Sequence, residues 1–217
     1  MIYFFTLEGL IGGGKSTLIR CMKDRLPFIN NIPVRYIQEP VSKWTNYKEN
    51  NKDIIELFYT DKKRYAFEFQ LVILNSFIEQ IEEIKRDHLS DVIVLSERSI
   101  RTAQYVFQQL LYDNGDISDL QKHILNDLYN KHSHIQHGII YLNTDTQICI
   151  DRINERKRNG ENNIDIEYLS KLKKKYETYI YQSSNVMTIY NNSKREIPYI
   201  ESFIKHTILS APLPIAH

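Results

Sequence analysis

Short apolar runs alternate with longer amphipathic segments along the 217 residues, and this predicts an α/β fold: a mainly parallel sheet, with five candidate strands, covered by helices on both faces. Two further observations point the same way. The first apolar run enters the glycine-rich stretch Gly9-Leu10-Ile11-Gly12-Gly13-Gly14-Lys15-Ser16-Thr17, which continues directly into a helical pattern. Later strand candidates end on Glu39-Pro40 and Glu97-Arg98-Ser99, as expected where the loops at the C-terminal edge of a parallel sheet gather into a site.

Taken in order, strands are expected at 2–7, 34–38, 92–96, 138–142 and 186–190. Each is a run of β-branched, aromatic or aliphatic residues, as in Val92-Ile93-Val94-Leu95-Ser96. Helices are expected at 15–26, 52–60, 64–86, 100–112, 117–134, 145–158, 165–181 and 195–207. In 64–86, the residues Phe67, Leu71, Leu74, Ile78 and Ile81 recur at helical spacing and define one apolar face. With no repeat and no Gly/Ser linker, residues 1–217 read as a single domain. The most loop-like interior stretch is Asn159-Gly160-Glu161-Asn162-Asn163.

Composition narrows the function classes. The 28 basic and 27 acidic residues nearly cancel, which argues against a general nucleic-acid or anionic-membrane surface. No apolar run approaches a membrane span. The N-terminus lacks a basic region and its apolar stretch is needed as a strand, so no cleaved leader is expected. Cys21 and Cys149 lack metal-site spacing and read as reduced residues, in or near the core, of a cytoplasmic protein. His132, His134 and His137 have no nearby acid or Cys partner and are expected in a solvated loop rather than at a metal.

Gly9 through Thr17 matches G-x-x-x-x-G-K-[ST] in the strand–loop–helix context of a triphosphate-binding loop. Gly9, Gly12, Gly13 and Gly14 let backbone N–H groups curl around phosphate oxygens, and the helix N-terminus adds partial positive charge. Lys15 is expected at the β- and γ-phosphates and the Ser16 hydroxyl at Mg²⁺, with Thr17 completing the stretch.

Beyond the loop, Glu39 follows the second strand and is held extended by Pro40. It is either the base that a hydroxyl-phosphorylating kinase needs or a polar strand-end residue. Trp44 is either a packing anchor or one wall of a slot for a flat ring. Glu97 occupies the Mg²⁺ side of the third strand's end, and Arg98 is placed to pair with Glu39 or with a phosphate oxygen. Arg152 and Arg156 share a helix face, with Arg158 at the helix end. Such a face fits a lid over a transferring phosphoryl group, or an ordinary solvated surface.

Glu8-Gly9 through Thr17, Glu39-Pro40 with Trp44, Phe69-Gln70, Glu97-Arg98-Ser99 and the Arg152/Arg156/Arg158 helix occur in order and at matching separations. Together they resemble the deoxyribonucleoside kinase family, which includes deoxycytidine, deoxyguanosine and mitochondrial-type thymidine kinases. The resemblance runs from residue 3 to residue 190. It implies a P-loop kinase fold with a small arginine-rich lid over residues 152–164. It also implies a salvage reaction in which ATP, with Mg²⁺, phosphorylates the 5′-hydroxyl of a deoxynucleoside. On that likeness Glu39 is the general base, Arg98 lies beside the 5′-oxygen and holds Glu39, and Ser16 and Glu97 serve the metal. Gln70 makes a bidentate amide contact to the base, Trp44, Phe69 and Phe107 enclose its ring, and Ile11 borders the sugar. Tyr59 and Glu161 match the pair on the 3′-hydroxyl, while Arg152, Arg156 and Arg158 face ATP. The resemblance also favours a homodimer, for which the apolar-faced helix 64–86 and the helix 100–112 are the candidate interface.

Deoxycytidine and deoxyguanosine kinases resemble each other in an Arg seven residues after the Gln and an Asp six residues after the Glu of Glu-Arg-Ser. This chain has Phe77 and Ala103 there. Thymidine-accepting members carry an apolar residue and an Ala, which leave room for a 5-methyl group. Thymidine is therefore the expected substrate, with deoxycytidine second and purines poor. Gly160 replaces an acidic residue common beside the lid, and a more flexible lid is expected. Tyr190 through Arg195 is expected to border the adenine. The nearest rival, a nucleoside monophosphate (thymidylate) kinase, needs arginines near the second strand, whereas Glu39 would repel a monophosphate. A GTPase-type switch needs Asn-Lys-x-Asp, and Asn130-Lys131-His132-Ser133 lacks the acid.

Overall fold

The computed structural model describes residues 1–87, 90–190 and 196–210. Strand β1 (Ile2–Gly9) leads into helix α1 (Lys15–Arg25), then β2 (Phe28–Ile29), β3 (Ile32–Ile37) and the one-turn helix α2 (Val41–Trp44). A small hairpin, β4 (Lys48–Glu49) with β5 (Lys52–Asp53), precedes α3 (Ile54–Thr60), the long α4 (Lys62–Asp87) and β6 (Val92–Glu97). Next come α5 (Ile100–Thr102), a π-helical turn over Ala103–Gln108 and α6 (Gln109–Asp113), continuous in one segment. The chain ends its description with α7 (Asp119–Lys131), β7 (Gly138–Asn143), α8 (Thr146–Arg156), a 3₁₀ turn (Glu161–Asn163), α9 (Ile166–Tyr181), β8 (Val186–Tyr190) and α10 (Ile197–Ser210).

All five expected strands are present, in a sheet ordered β2-β3-β6-β1-β7-β8. The pairs β3–β6, β6–β1, β1–β7 and β7–β8 are parallel, with Phe5 opposite Leu95 and Leu7 opposite Ile140. β2 adds a sixth, antiparallel strand at the edge, Ile29 facing Ile32. Two residues carry no periodicity, so the sequence reading lacked this strand. Its signal was the turn: Asn30 and Asn31 both take positive φ, 50° and 62°, the geometry of a tight hairpin. Asn50 and Asn51 repeat it between β4 and β5, at 50° and 65°.

Alternation along β1 sorts the core. Phe5 and Leu7 pack with Leu18, Ile19 and Met22 of α1 and with Ile200 and Ile204 of α10. Phe4 packs on the opposite side with Val92 and Val94. Each such fully buried side chain contributes about 1.5–3 kcal/mol. Ile139 and Tyr141 meet the π-turn and α9 through Val106, Leu169 and Tyr176, and α4 and α7 make a further cluster around Phe69, Leu74, Leu125 and Tyr129. From β1 the chain moves to β3, returns through β6 and then crosses to β7, so the order reverses at β1. Ligands bind at such switch points, and here the glycine loop leaves the sheet.

The histidine segment is the expected loop, but His134 and His137 pack on β1 instead of standing in solvent. The His137 backbone N–H donates to the Phe4 carbonyl at 2.8 Å, and His137 Nδ1 accepts from the Phe4 N–H at 3.0 Å. The His134 ring stands edge-on to Phe4, 4.1 Å between centroids, and burial pushes its imidazole down to about 4. These residues pack against β1 just ahead of β7. Among the described residues no group of three or more His, Cys, Asp and Glu could hold a metal. No described helix is long and apolar enough to cross a membrane.

Candidate active site

The glycine loop is packed against α8. Gly12 has φ +76°, and a Cβ there would stand 2.4 Å from the Cys149 carbonyl oxygen, so only glycine fits. Thr144 Oγ1 donates to the Gly13 carbonyl at 3.1 Å, and Arg152 Nη1 donates to the Gly12 carbonyl at 3.4 Å. The Gly13 N–H donates to the Leu10 carbonyl at 3.0 Å. Gly9 and Gly13 do not line the cavity, and Gly9 abuts Leu142 at the end of β7.

That cavity measures about 870 Å³, large enough for a nucleoside and a polyphosphate together. Ile11, Gly12, Gly14, Lys15, Ser16 and Thr17 line it from the loop and α1, with Glu39 from the end of β3 and Glu97 and Arg98 from the end of β6. α2, α3, α4 and the π-turn contribute Trp44, Tyr59, Phe69, Gln70, Phe77, Ala103 and Phe107. Arg152 and Arg156 of α8, with Arg158 and Glu161 after it, complete the lining. Residues far apart in sequence thus converge as expected. Tyr190 is exposed, and 191–195, expected near the adenine, lie outside the described residues.

Lys15 Nζ donates to the carbonyls of Gly9 at 3.1 Å and Leu10 at 2.8 Å and lies 4.0 Å from Glu97 Oε1. Burial, then the Arg98 charge, pushes its ammonium down to about 8. Burial raises the Glu97 carboxyl, and the charge of Glu39 adds to the rise. Ser16 Oγ donates to Glu97 Oε1 at 2.9 Å. A hydroxyl and a carboxylate side by side form a hard-oxygen pair that fits Mg²⁺, which takes few protein ligands and fills its shell with phosphates and water.

Arg98 sits where β6 ends, at φ +62°, a conformation uncommon for a side chain of its size and typical of functional positions. Its Nη1 donates to Glu39 Oε1, and its Nε donates to the Tyr176 hydroxyl at 3.1 Å. Its guanidinium carbon lies 4.9 Å from the centroid of the Phe107 ring, within cation–π range. Burial works against the Arg98 charge, but Glu39, Tyr176 and Glu97 outweigh it and keep the group cationic.

Arg156 Nε and Nη2 donate to Glu161 Oε2 at 3.1 and 2.6 Å, and Arg158 Nη1 donates to Oε1 at 2.9 Å. Gly160 also makes a close contact: at φ +82° a Cβ there would lie 2.7 Å from the Glu56 Cα, so its bareness lets this segment seat on α3. Asn163 Nδ2 adds a hydrogen bond to the Tyr59 carbonyl at 3.2 Å.

Trp44 and Phe69 meet edge to face, 5.7 Å between centroids, and Trp44 Nε1 donates to Ser76 Oγ at 3.1 Å. Trp44 is thus anchor and wall at once. Phe107 belongs with the α9 cluster, so the aromatic walls come from two layers. Gln70 is buried, and its Oε1 accepts from the Tyr129 hydroxyl at 2.8 Å.

Three tyrosines at the site were missed from sequence: Tyr168 lines the cavity, Tyr176 holds Arg98 and Tyr129 holds Gln70. Tyr168, Leu172, Tyr176 and Tyr179 form the buried stripe of α9, a signal that reads only as core. Glu8 is fully buried beneath the site, where Ser99 and Thr102 hydroxyls donate to its Oε1 and burial raises its carboxyl.

A family profile described as "Deoxynucleoside kinase" matches residues 5–205. The chain is 30% identical over 197 residues to "Putative kinase protein 029R" of Invertebrate iridescent virus 3, covering 91% of this chain and 92% of that protein. It is 30% identical over 217 residues to "Deoxycytidine kinase 2" of Gallus gallus, covering 90% and 79% of the two. To "Thymidine kinase" of Ictalurid herpesvirus 1 it is 29% identical over 220 residues, covering 96% and 90%.

Proposed function

Because this chain belongs to the deoxynucleoside kinase family and is a kinase that uses ATP as phosphoryl donor, we propose that it phosphorylates the 5′-hydroxyl of a pyrimidine deoxyribonucleoside, thymidine before deoxycytidine, in nucleotide salvage. Glu39 accepts the proton of the 5′-hydroxyl. The 5′-oxygen forms a bond to the γ-phosphorus, the bond to the β–γ bridging oxygen breaks, and ADP leaves. Arg98 holds Glu39 in place, while Lys15 and the lid arginines face the negative charge of the phosphates. Ser16 and Glu97 are the residues that would hold Mg²⁺, which when bound neutralises charge on the phosphate oxygens.

One observation carries the reading: the side chains that α2, α3, α4 and the π-turn present to the cavity are all uncharged, while Glu39 lines the same cavity from the end of β3. An uncharged acceptor fits that wall. A monophosphate does not, because no cation on those elements would receive it. Ala103 and Phe77, both in the wall, favour a 5-methyl pyrimidine by space and apolar contact. The reading extends to a homodimer acting in the cytoplasm, with α4 and the helical segment 100–113 as its interface.

Coupled ATP turnover against thymidine, deoxycytidine, deoxyadenosine, deoxyguanosine and thymidine monophosphate tests the assignment. Turnover with thymidine first and deoxycytidine second is expected. Activity confined to the monophosphate would sink it, and purines equal to pyrimidines would sink the argument from Phe77 and Ala103.

A further inference from the structure

The Gln70–Tyr129 contact joins α4 to α7 inside the core, with both residues buried and 59 positions apart in sequence. The Tyr129 hydroxyl has no other hydrogen-bond partner among the described residues, so its one O–H proton goes to Gln70 Oε1. Rotating the carboxamide by half a turn would place Nε2 against the phenol oxygen and leave that proton unpaired on the Tyr129 side, which is fully buried in the α4–α7 cluster. A buried unpaired donor carries a penalty of roughly tenfold in equilibrium terms. The contact therefore fixes which end of the carboxamide is oxygen and which is nitrogen.

That choice matters for pyrimidines. Thymine presents a donor N3–H beside a carbonyl acceptor at C4, whereas cytosine presents an acceptor N3 beside a donor amino group at C4. A carboxamide matches either edge, but only in opposite orientations. A fixed one satisfies both hydrogen bonds with a single base and leaves groups unpaired with the other. We propose that Tyr129 is a specificity-determining residue of this enzyme, which sets the choice between 4-keto and 4-amino pyrimidine deoxynucleosides by locking the orientation of the Gln70 carboxamide. The assignment rests on Gln70 as the base-reading residue of the proposed function, and Tyr129 acts through it.

The test compares kcat/KM for thymidine and deoxycytidine, with ATP, in the full chain and in Tyr129→Phe, which keeps the ring and removes the proton. The full chain is expected to prefer one base, and Tyr129→Phe to bring the ratio of the two constants at least about fivefold closer to one. A general loosening of the core would lower both constants together and leave the ratio in place. A ratio within about twofold of its original value overturns the assignment, as does a full chain that treats both bases alike. Should Tyr129→Phe fail to fold, 3-fluorotyrosine at position 129, a stronger donor of the same shape, is expected to widen the ratio, and an unmoved ratio overturns the assignment. A full chain that phosphorylates neither pyrimidine fails at the proposed function itself and takes the assignment with it. Turnover of both with an unmoved ratio removes Tyr129 alone.

Discussion

The hydroxyl of Tyr176 accepts a hydrogen bond from Arg98 Nε at 3.1 Å, while Nη1 of the same guanidinium donates to Glu39. Arg98 is thereby gripped from two sides, a phenol below and a carboxylate at the mouth, with the Phe107 ring against its face.

Tyr176→Phe removes the lower grip and keeps the packing. It is expected to lower kcat about tenfold, in line with the loss of one hydrogen bond to a charged group, with a smaller change in the nucleoside KM. Glu39→Gln is expected to lower kcat by about 100-fold or more while ATP binding persists. Steady-state kinetics with a fluorescent ATP-analogue titration check both. An unchanged kcat in Glu39→Gln would remove that residue from the role of base.

Gly160 gives a third prediction. Gly160→Ala places a methyl group against the backbone of Glu56 and a side chain at φ +82°. The lid should then seat poorly, displacing Glu161 and raising the nucleoside KM about tenfold, while Tm falls by only about 2–4 °C for about 1 kcal/mol of local strain. Equal KM values in the two proteins would mean that the lid's contact with α3 does not shape the nucleoside site.

Lys15 gives a pH signature. Its folded value of about 8 lies below the ordinary 10.5, because burial disfavours the charged form. Between those values the unfolded chain keeps a proton that the folded protein has released, so this group's contribution to stability rises with pH; below the folded value it is unfavourable. Relative to Lys15→Met, the wild-type protein without nucleotide should gain Tm from about pH 7.5 to about pH 9.5. Calorimetry of the two proteins across that range is the check, and parallel curves would refute it.

Two kinds of information separate what the sequence makes legible from what it does not. The glycine loop, Glu39 and Glu97-Arg98-Ser99 are legible because their chemistry sits at strand exits, and topology alone brings those exits together. Tyr129 and Tyr176 are not. Each lies on the buried stripe of a helix and acts on a partner 59 or 78 residues away, so nothing local distinguishes it from packing. Gly160 shows a different limit: an absent side chain can mean freedom or closeness, and only the position of Glu56 decides. The asparagine pairs at 30–31 and 50–51 were legible in principle, since their positive φ values form hairpins that the apolar pattern is too short to show.

The backbone contact between Gly12 and Cys149 has a consequence for how this enzyme can vary. The glycine loop, proposed to grip the donor, and α8, proposed to carry the lid, touch there backbone to backbone. A substitution that tilts α8, even on its solvent side, is registered at the phosphates. On the proposed function, donor affinity and the position of α8 are therefore coupled through this contact.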